Sequence, residues 1–478
     1  MKKLMVLAIL GAFCLGLAGT ASAIVDVKAT GDWQIAAIWR DGFNMRDIDA
    51  GNTESDFDVW QRVRTYFQFI ANENLKGVFG IEIGTANWGG AAMPLGADQT
   101  GIIEVKHAYV DFTLPNTKVN VKAGLMPLAL PSGAFGNAVL DDDVAAAVVS
   151  TPLFDHVGLL AGWARPYQVA DSTSAQDSEL DMIFAAVPLT FDGVSVTPYL
   201  AYAYSGSDTL MNIVAANGYG GIPGGLVSQN ATQTKADDVS VWWGGAAFNV
   251  SLLDPFGIKG GFVYGDEDGD QNLQRSGWEF DIALSYTGWD FVTPELYFVY
   301  TSGEDGNASD DDGGDSERLP TVSTGLAPGT FWTGKDFFGD ARDVVSQSGA
   351  QCQSDDLTMG YWALGLNLKD ISFLEGLTHQ VSIAYFEGTN DKNIGTAYTA
   401  AAGGYGRGVR YTHTLTEDDS LVEYSLLNRY KVYDQLTLAL SLSYLDVSMD
   451  RDNWAEIADG VADDKDAYKV LLGVQYKF

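Results

Sequence analysis

The sequence predicts an all-β fold: a transmembrane antiparallel β-barrel of about 18 strands, with 16 as the alternative count. Three observations predict it. Apolar and polar residues alternate with period two along most of the chain. The connections alternate between short turns and long polar loops. Beyond the first two dozen residues no run of about 18 apolar residues appears, so no membrane-spanning helix is expected.

The alternation is cleanest from Trp278 to Tyr286. Trp278, Phe280, Ile282, Leu284 and Tyr286 form one face, and Glu279, Asp281, Ala283 and Ser285 the other. About nine to eleven tilted residues cross a hydrocarbon core, and rings at both ends of the apolar face suit its two interfaces. Leu296, Phe298 and Tyr300 repeat the pattern, as do Leu436, Leu438, Leu440, Leu442 and Tyr444. Val144 to Ser150 blurs it with Ala and Val; without that segment and a neighbour the count falls to 16.

Short turns are read at 72–74, 115–116, 192–193, 253–255, 288–290 and 433–434, and further ones at 152–155 and 369–376. Long loops are read at 41–55, 85–100, 205–236, 303–356 and 389–419. Short connections belong to the periplasmic side and long ones to the extracellular side.

The N-terminus reads Met1-Lys2-Lys3, an apolar run from Leu4 to Gly19, and Thr20-Ala21-Ser22-Ala23. These are the parts of a secretory signal peptide, with cleavage expected after Ala23 and a single barrel domain over 24–478. Phe13 before Cys14 is too bulky for a lipoprotein signal. After cleavage only Cys352 is left, so no intramolecular disulfide is expected. At the other end Tyr468, Val470, Leu472, Val474, Tyr476 and Phe478 alternate with Lys469, Leu471, Gly473, Gln475 and Lys477. This strand resembles the terminal signature read by the outer-membrane barrel-assembly machinery.

Composition removes two classes. Lys and Arg number 28 against 63 Asp and Glu; without Lys2 and Lys3 the mature charge is 26 − 63 = −37. Nucleic-acid phosphates select the opposite sign. Disorder does not tolerate 46% hydrophobic and 12% aromatic residues.

Parity assigns the lumen. Along 59–71 the odd residues Val63, Phe67, Phe69 and Ala71 are apolar, which turns Trp60, Arg62, Arg64, Tyr66 and Gln68 inward. On the next strand Val78, Gly80 and Glu82 face inward, with Arg64 opposite Glu82 for a turn centred on Glu73. Two readings stand: the pair satisfies charges on the wall, or Arg62 and Arg64 form a basic ladder at the narrowest level, extended by Lys122. The segment 126–143 is apolar and Gly/Pro-punctuated before it turns acidic at Asp141, Asp142 and Asp143. Its 127–143 portion is expected to fold into the barrel, since an apolar external loop is poorly solvated.

In position and chemistry this segment resembles the infolded loop of general diffusion porins, whose acids face an arginine cluster. Around Arg62-Val63-Arg64-Thr65-Tyr66 and Gly124-Leu125-Met126-Pro127 the wording resembles the major porins of sulfate-reducing bacteria. The resemblance implies an outer-membrane porin, a homotrimer, and a constriction drawn from Arg62, Arg64, Glu82, Lys122 and Asp141 to Asp143. The Pro-Glu-Phe-Gly-Gly loop tip of enterobacterial porins is missing.

The runs Asp266-Glu267-Asp268-Gly269-Asp270 and Asp310-Asp311-Asp312-Gly313-Gly314-Asp315 are read as external. They are solvated loop charge or, at Asp310, Asp311, Asp312 and Asp315, ligands for structural Ca²⁺ or Mg²⁺ shared with lipopolysaccharide phosphates. No cofactor is required. The four histidines, His107, His156, His379 and His413, form no catalytic constellation with serine. The expected function is passive diffusion of ions and small hydrophilic solutes across the outer membrane. A channel selective for a sugar or an anion is the competing reading, and a barrel enzyme the remoter one.

Overall fold

The computed structural model describes residues 25–42, 45, 55–90, 93, 103–168, 179–205, 239–268, 274–304, 317–333, 360–393, 414–450, 452–453 and 464–478. The signal-peptide region, His413, Cys352 and the Asp310 to Asp315 run lie outside these residues.

Nineteen strand segments follow one another with no helix among the described residues. They begin with β1 (Asp26–Asp41), β2 (Ser55–Asn72), β3 (Leu75–Asn87), β4 (Ile103–Thr113) and β5 (Asn120–Ala129). Next come β6 (Asp141–Phe154), β7 (Val157–Gln168), β8 (Glu179–Ala186), β9 (Leu189–Phe191) and β10 (Val194–Ser205). Then follow β11 (Val239–Val250), β12 (Phe256–Asp268), β13 (Arg275–Tyr286), β14 (Thr293–Thr301) and β15 (Tyr361–Leu374). The last are β16 (Leu377–Gly388), β17 (Ser420–Tyr433), β18 (Leu436–Ser448) and β19 (Ala467–Lys477). β8 and β9 are one barrel strand broken at Val187-Pro188, because both pair with β10 on one side and β7 on the other. Proline has no N–H to give the ladder there. Nineteen segments less one gives the expected 18 strands, and the blurred Val144 to Ser150 stretch is one of them.

Every neighbour pair is antiparallel, and β1 closes the cylinder against β19 through Trp33 opposite Tyr476. Gly31 and Phe478 exchange both backbone hydrogen bonds at the seam, 2.9 and 3.1 Å. Closure satisfies every edge, which a wall lying in hydrocarbon requires. At the short ends, turn chemistry sets the geometry: Gly193 after Asp192 takes a φ of 70°, and Asn116 one of 62°.

The two faces of the wall match the alternation. Trp39, Phe69, Phe79, Trp163, Leu200, Trp242, Phe262, Leu296, Leu442 and Tyr476 project outward and are exposed to what surrounds the barrel. Outward rings touch across neighbouring strands: Trp242 with Tyr264 at 5.4 Å, Trp278 with Tyr300 at 4.3 Å, Trp362 with Tyr385 at 5.2 Å. An apolar outer band with linked aromatics on a closed even-numbered barrel is a surface made for the outer membrane. The protein is an outer-membrane β-barrel. In detergent it is expected to be β-rich by circular dichroism and to change gel mobility on boiling; a helical spectrum would contradict this architecture.

Two parts of the loop reading need correction. The segment 303–356 was expected outside as one polar loop, yet most of residues 318–333 are buried, with Leu319, Val322, Phe331 and Trp332 at 0–3% exposure. Alternating parity cannot show this, because the segment is not a strand of the wall. The acidic run from Asp266 was also expected in an external loop. Its first three residues instead extend β12, where Glu267 turns inward near Arg275 and Asp266 accepts the Trp242 indole N–H at 3.0 Å.

Candidate pore constriction

The site begins with a break in the wall's hydrogen bonding. Pairing of β4 with β5 ends at Ala108 opposite Leu125, and pairing of β6 with β7 ends at Ala145 opposite Arg165. β5 and β6 stay paired up to Ala129 opposite Asp141. The end of this hairpin therefore leaves the cylinder, and its tip meets the far wall.

Ala134 and Phe135 donate their backbone N–H groups to one carboxylate oxygen of Asp281 on β13, at 2.5 and 3.0 Å. Gly133 packs so closely on that carboxylate that a Cβ has no room. Phe135 lies 4.7 Å from the Tyr297 ring on β14, and the Asn137 amide donates to the Tyr199 hydroxyl on β10 at 3.2 Å. Asn137 also shapes its own chain: its side-chain oxygen accepts from Val139 and Leu140 N–H, at 2.8 and 3.0 Å.

The 317–333 segment runs beside this tip. Val322 and Ser323 donate to the Val139 carbonyl, Gly325 to that of Asn137 and Ala327 to that of Phe135, while Asp141 N–H donates to Ser323. The two segments form a narrow ribbon across the lumen, joined in parallel at Leu140 and Ser323. Its ends are tied down. The Trp243 indole N–H donates to the Pro320 carbonyl at 2.7 Å. Glu423 on β17 accepts from Thr330 N–H at 2.6 Å, Thr330 Oγ1 at 2.8 Å and Trp332 N–H at 2.8 Å. Trp332 packs edge-on between Tyr361 and Phe386.

Against the ribbon the inward residues Val148, Met182, Phe184, Val241, Trp243 and Val263 form an apolar surface, buried in one cluster with Leu140, Val322 and Leu326. The facing wall of β1 to β4 is charged. The Arg64 guanidinium donates to Glu82 at 2.6 Å, in the register read from the sequence, Arg64 opposite Glu82. Lys106 pairs with Asp143 at 2.5 Å and lies 3.7 Å from Glu82. His107 Nε2 is 2.9 Å from the other oxygen of Asp143, and its ring lies 4.9 Å from Tyr66. Arg62, one row away, donates to Gln34 at 2.8 Å and is buried.

Of the residues read from sequence, the structure thus brings Arg64, Glu82 and Asp143 together. Lys122 does not join them: it faces inward but sits opposite Asp111, two residues into β5 from the short-turn end. Asp142 accepts from Ser323 Oγ at 2.8 Å, and Asp141 packs on Gly325, so both address the ribbon instead of the basic wall. Lys106 was missed because it is the extra residue of a bulge, between Gly80 opposite His107 and Ile81 opposite Val105. Asp281 stands on the polar face read for its strand, whereas Glu423 was not singled out, and nothing local reveals that either holds a segment from another part of the chain. Among the described residues no group of three or more His, Cys, Asp and Glu side chains is arranged to hold a metal ion.

No family model and no curated protein matches the sequence. Among solved structures the chain is similar to two Pseudomonas aeruginosa proteins. One is the outer membrane protein OprD, at 13% identity and a TM-score of 0.49 over 97% of each chain. The other is OccK8 (OprE), at 11% identity and a TM-score of 0.49 over 95% of this chain and 98% of that one.

Proposed function

We propose that the protein is a water-filled outer-membrane channel for passive diffusion of ions and small hydrophilic solutes. The observation that carries this reading is the asymmetry of the lumen at the ribbon. An 18-strand cylinder is too wide for wall side chains alone to fill. Here two infolded segments pack one side, and a partly exposed group of Arg64, Glu82, Lys106 and Asp143 faces them from the other. Charged groups that are not sealed in a dry core belong beside water. The passage is therefore the gap between ribbon and charged wall.

A sugar-selective slide needs exposed rings in sequence along that gap. Trp60 does face inward, but it is buried with Ile38 and Leu471. Arg64 and Lys106 at the gap are balanced by Glu82 and Asp143, so this cluster by itself favours neither sign of ion. The homotrimer, the closeness to porins of sulfate reducers, and Ca²⁺ or Mg²⁺ at Asp310 to Asp315 stay proposals carried by resemblance and composition. Purified protein added to a planar bilayer should give discrete conductance steps, and liposomes containing it should admit small sugars. Folded protein that produces neither overturns the channel reading.

A further inference from the structure

We propose that the periplasmic half of the lumen is a vestibule that collects small oxyanions, giving an anion preference to a protein whose formal charge is −35. This rests on the channel reading above and names its solute class.

Parity and register carry it. Lys28 on β1 shares its face with buried Gln34 and Ala36, and Lys122 on β5 with buried Met126 and Leu128. Lys259 on β12 shares its face with buried Val263, and Lys477 on β19 with buried Leu471. All four therefore point into the lumen. Lys28, Lys122 and Lys259 lie third, third and fourth from the short-turn end of their strands, and Lys477 is the last residue of its own. All four are exposed, and none has an ion-pair partner among the described residues.

Other inward lysines at this end are already neutralised. Lys76 pairs with Asp111 at 3.4 Å, and Lys369 with Glu295 at 2.5 Å. Asp111, which also lies opposite Lys122, and Glu295 are held by Lys76 and Lys369, and two further carboxylates share the level of the four lysines. Asp26 lies opposite Ile70, and Asp32 accepts from the amides of Gln34 and Gln475 at 2.8 and 3.1 Å. The turn acids Glu73, Asp155, Asp192, Asp254, Asp290, Glu375 and Asp434 sit beyond the strand ends and are exposed to bulk water. There their influence decays over about 8 Å at physiological ionic strength. The lysines face each other across a cavity with low-dielectric walls, which focuses their field and raises the local anion concentration.

The chemistry suits transit. Lysine ammonium groups are compact, hydrated point charges without the rigid fork of arginine. They attract phosphate, sulfate and small carboxylates without fixing their geometry. A channel needs attraction strong enough for entry and weak enough for release.

The test is a planar bilayer holding the full-length protein in a tenfold KCl gradient, with inorganic phosphate or sulfate then added to either side. Wild type should show a reversal potential of anion-selective sign. Addition at the short-turn side should lower the chloride current more than the same addition opposite. The variant K28Q/K122Q/K259Q/K477Q changes only exposed side chains, and its boiling-dependent gel shift verifies the barrel. It should conduct, lose the side-dependent oxyanion effect, and move its reversal potential toward cation selectivity. A variant that conducts with the wild-type reversal potential and oxyanion response overturns the vestibule and leaves the channel standing. Folded wild-type protein that conducts nothing overturns both.

Discussion

Replacing Asp281 by alanine is expected to raise single-channel conductance and to add current noise. The carboxylate accepts two backbone N–H groups from the tip of the 130–140 segment. Hydrogen bonds to a charged acceptor contribute about 1.5–3 kcal/mol each, so losing both removes a share comparable with the five neutral backbone bonds that hold the tip to residues 322–327. The tip should then sample positions away from β13. Asp281→Asn keeps one acceptor oxygen and should fall between. Glu423→Ala acts on the other segment, where three donors converge on one buried carboxylate. Because the ribbon joins the two segments, the double variant should exceed the sum of the single effects. Single-channel recording decides it: wild-type conductance and noise in both single variants would show that neither carboxylate holds the constriction.

How far the sequence shows this arrangement depends on whether the signal is local. Strand identity is local: Trp278 to Tyr286 carries its own alternation, and β13 follows it with the outward and inward faces as read. Register near a short turn is nearly local, so Arg64 opposite Glu82 follows from counting back from Glu73. The departure of the β5–β6 hairpin had a compositional trace, an apolar stretch where a solvated loop was due. The 317–333 segment had none that stood out, since Leu319, Val322, Phe331 and Trp332 are scattered through a long polar loop. What buries them is non-local: Trp243, Tyr361, Phe386 and Glu423 come from four different strands. Bulges defeat parity for a related reason. One extra residue at Lys106 adds an inward charge that strict alternation assigns to nobody.

The charged wall gives the second large effect, a split within the acidic triplet. Asp143 is held by Lys106 and His107, whereas Asp142 accepts from Ser323 and Asp141 packs against Gly325. Unit charges about 4 Å apart interact by about 1 kcal/mol in bulk water and about 4 kcal/mol at an effective dielectric near 20. An ion passing the partly screened cluster therefore feels its charges several-fold more than charges in open loops. Asp143→Asn strips the negative partner from Lys106 and should move the reversal potential toward anions. Asp141→Asn and Asp142→Asn together change two charges, but on the ribbon side, and should move it less than the single Asp143 change. Arg64→Ala with Lys106→Ala should move it toward cations, because Glu82 and Asp143 are then left facing the gap without a basic partner on β2 or at the bulge. Arg62→Ala, whose guanidinium is turned to Gln34 and buried, should shift selectivity little. Reversal potentials in a tenfold salt gradient separate these outcomes. Equal shifts from the Asp143 variant and the Asp141/Asp142 pair would place all three acids on one surface and contradict the geometry described above.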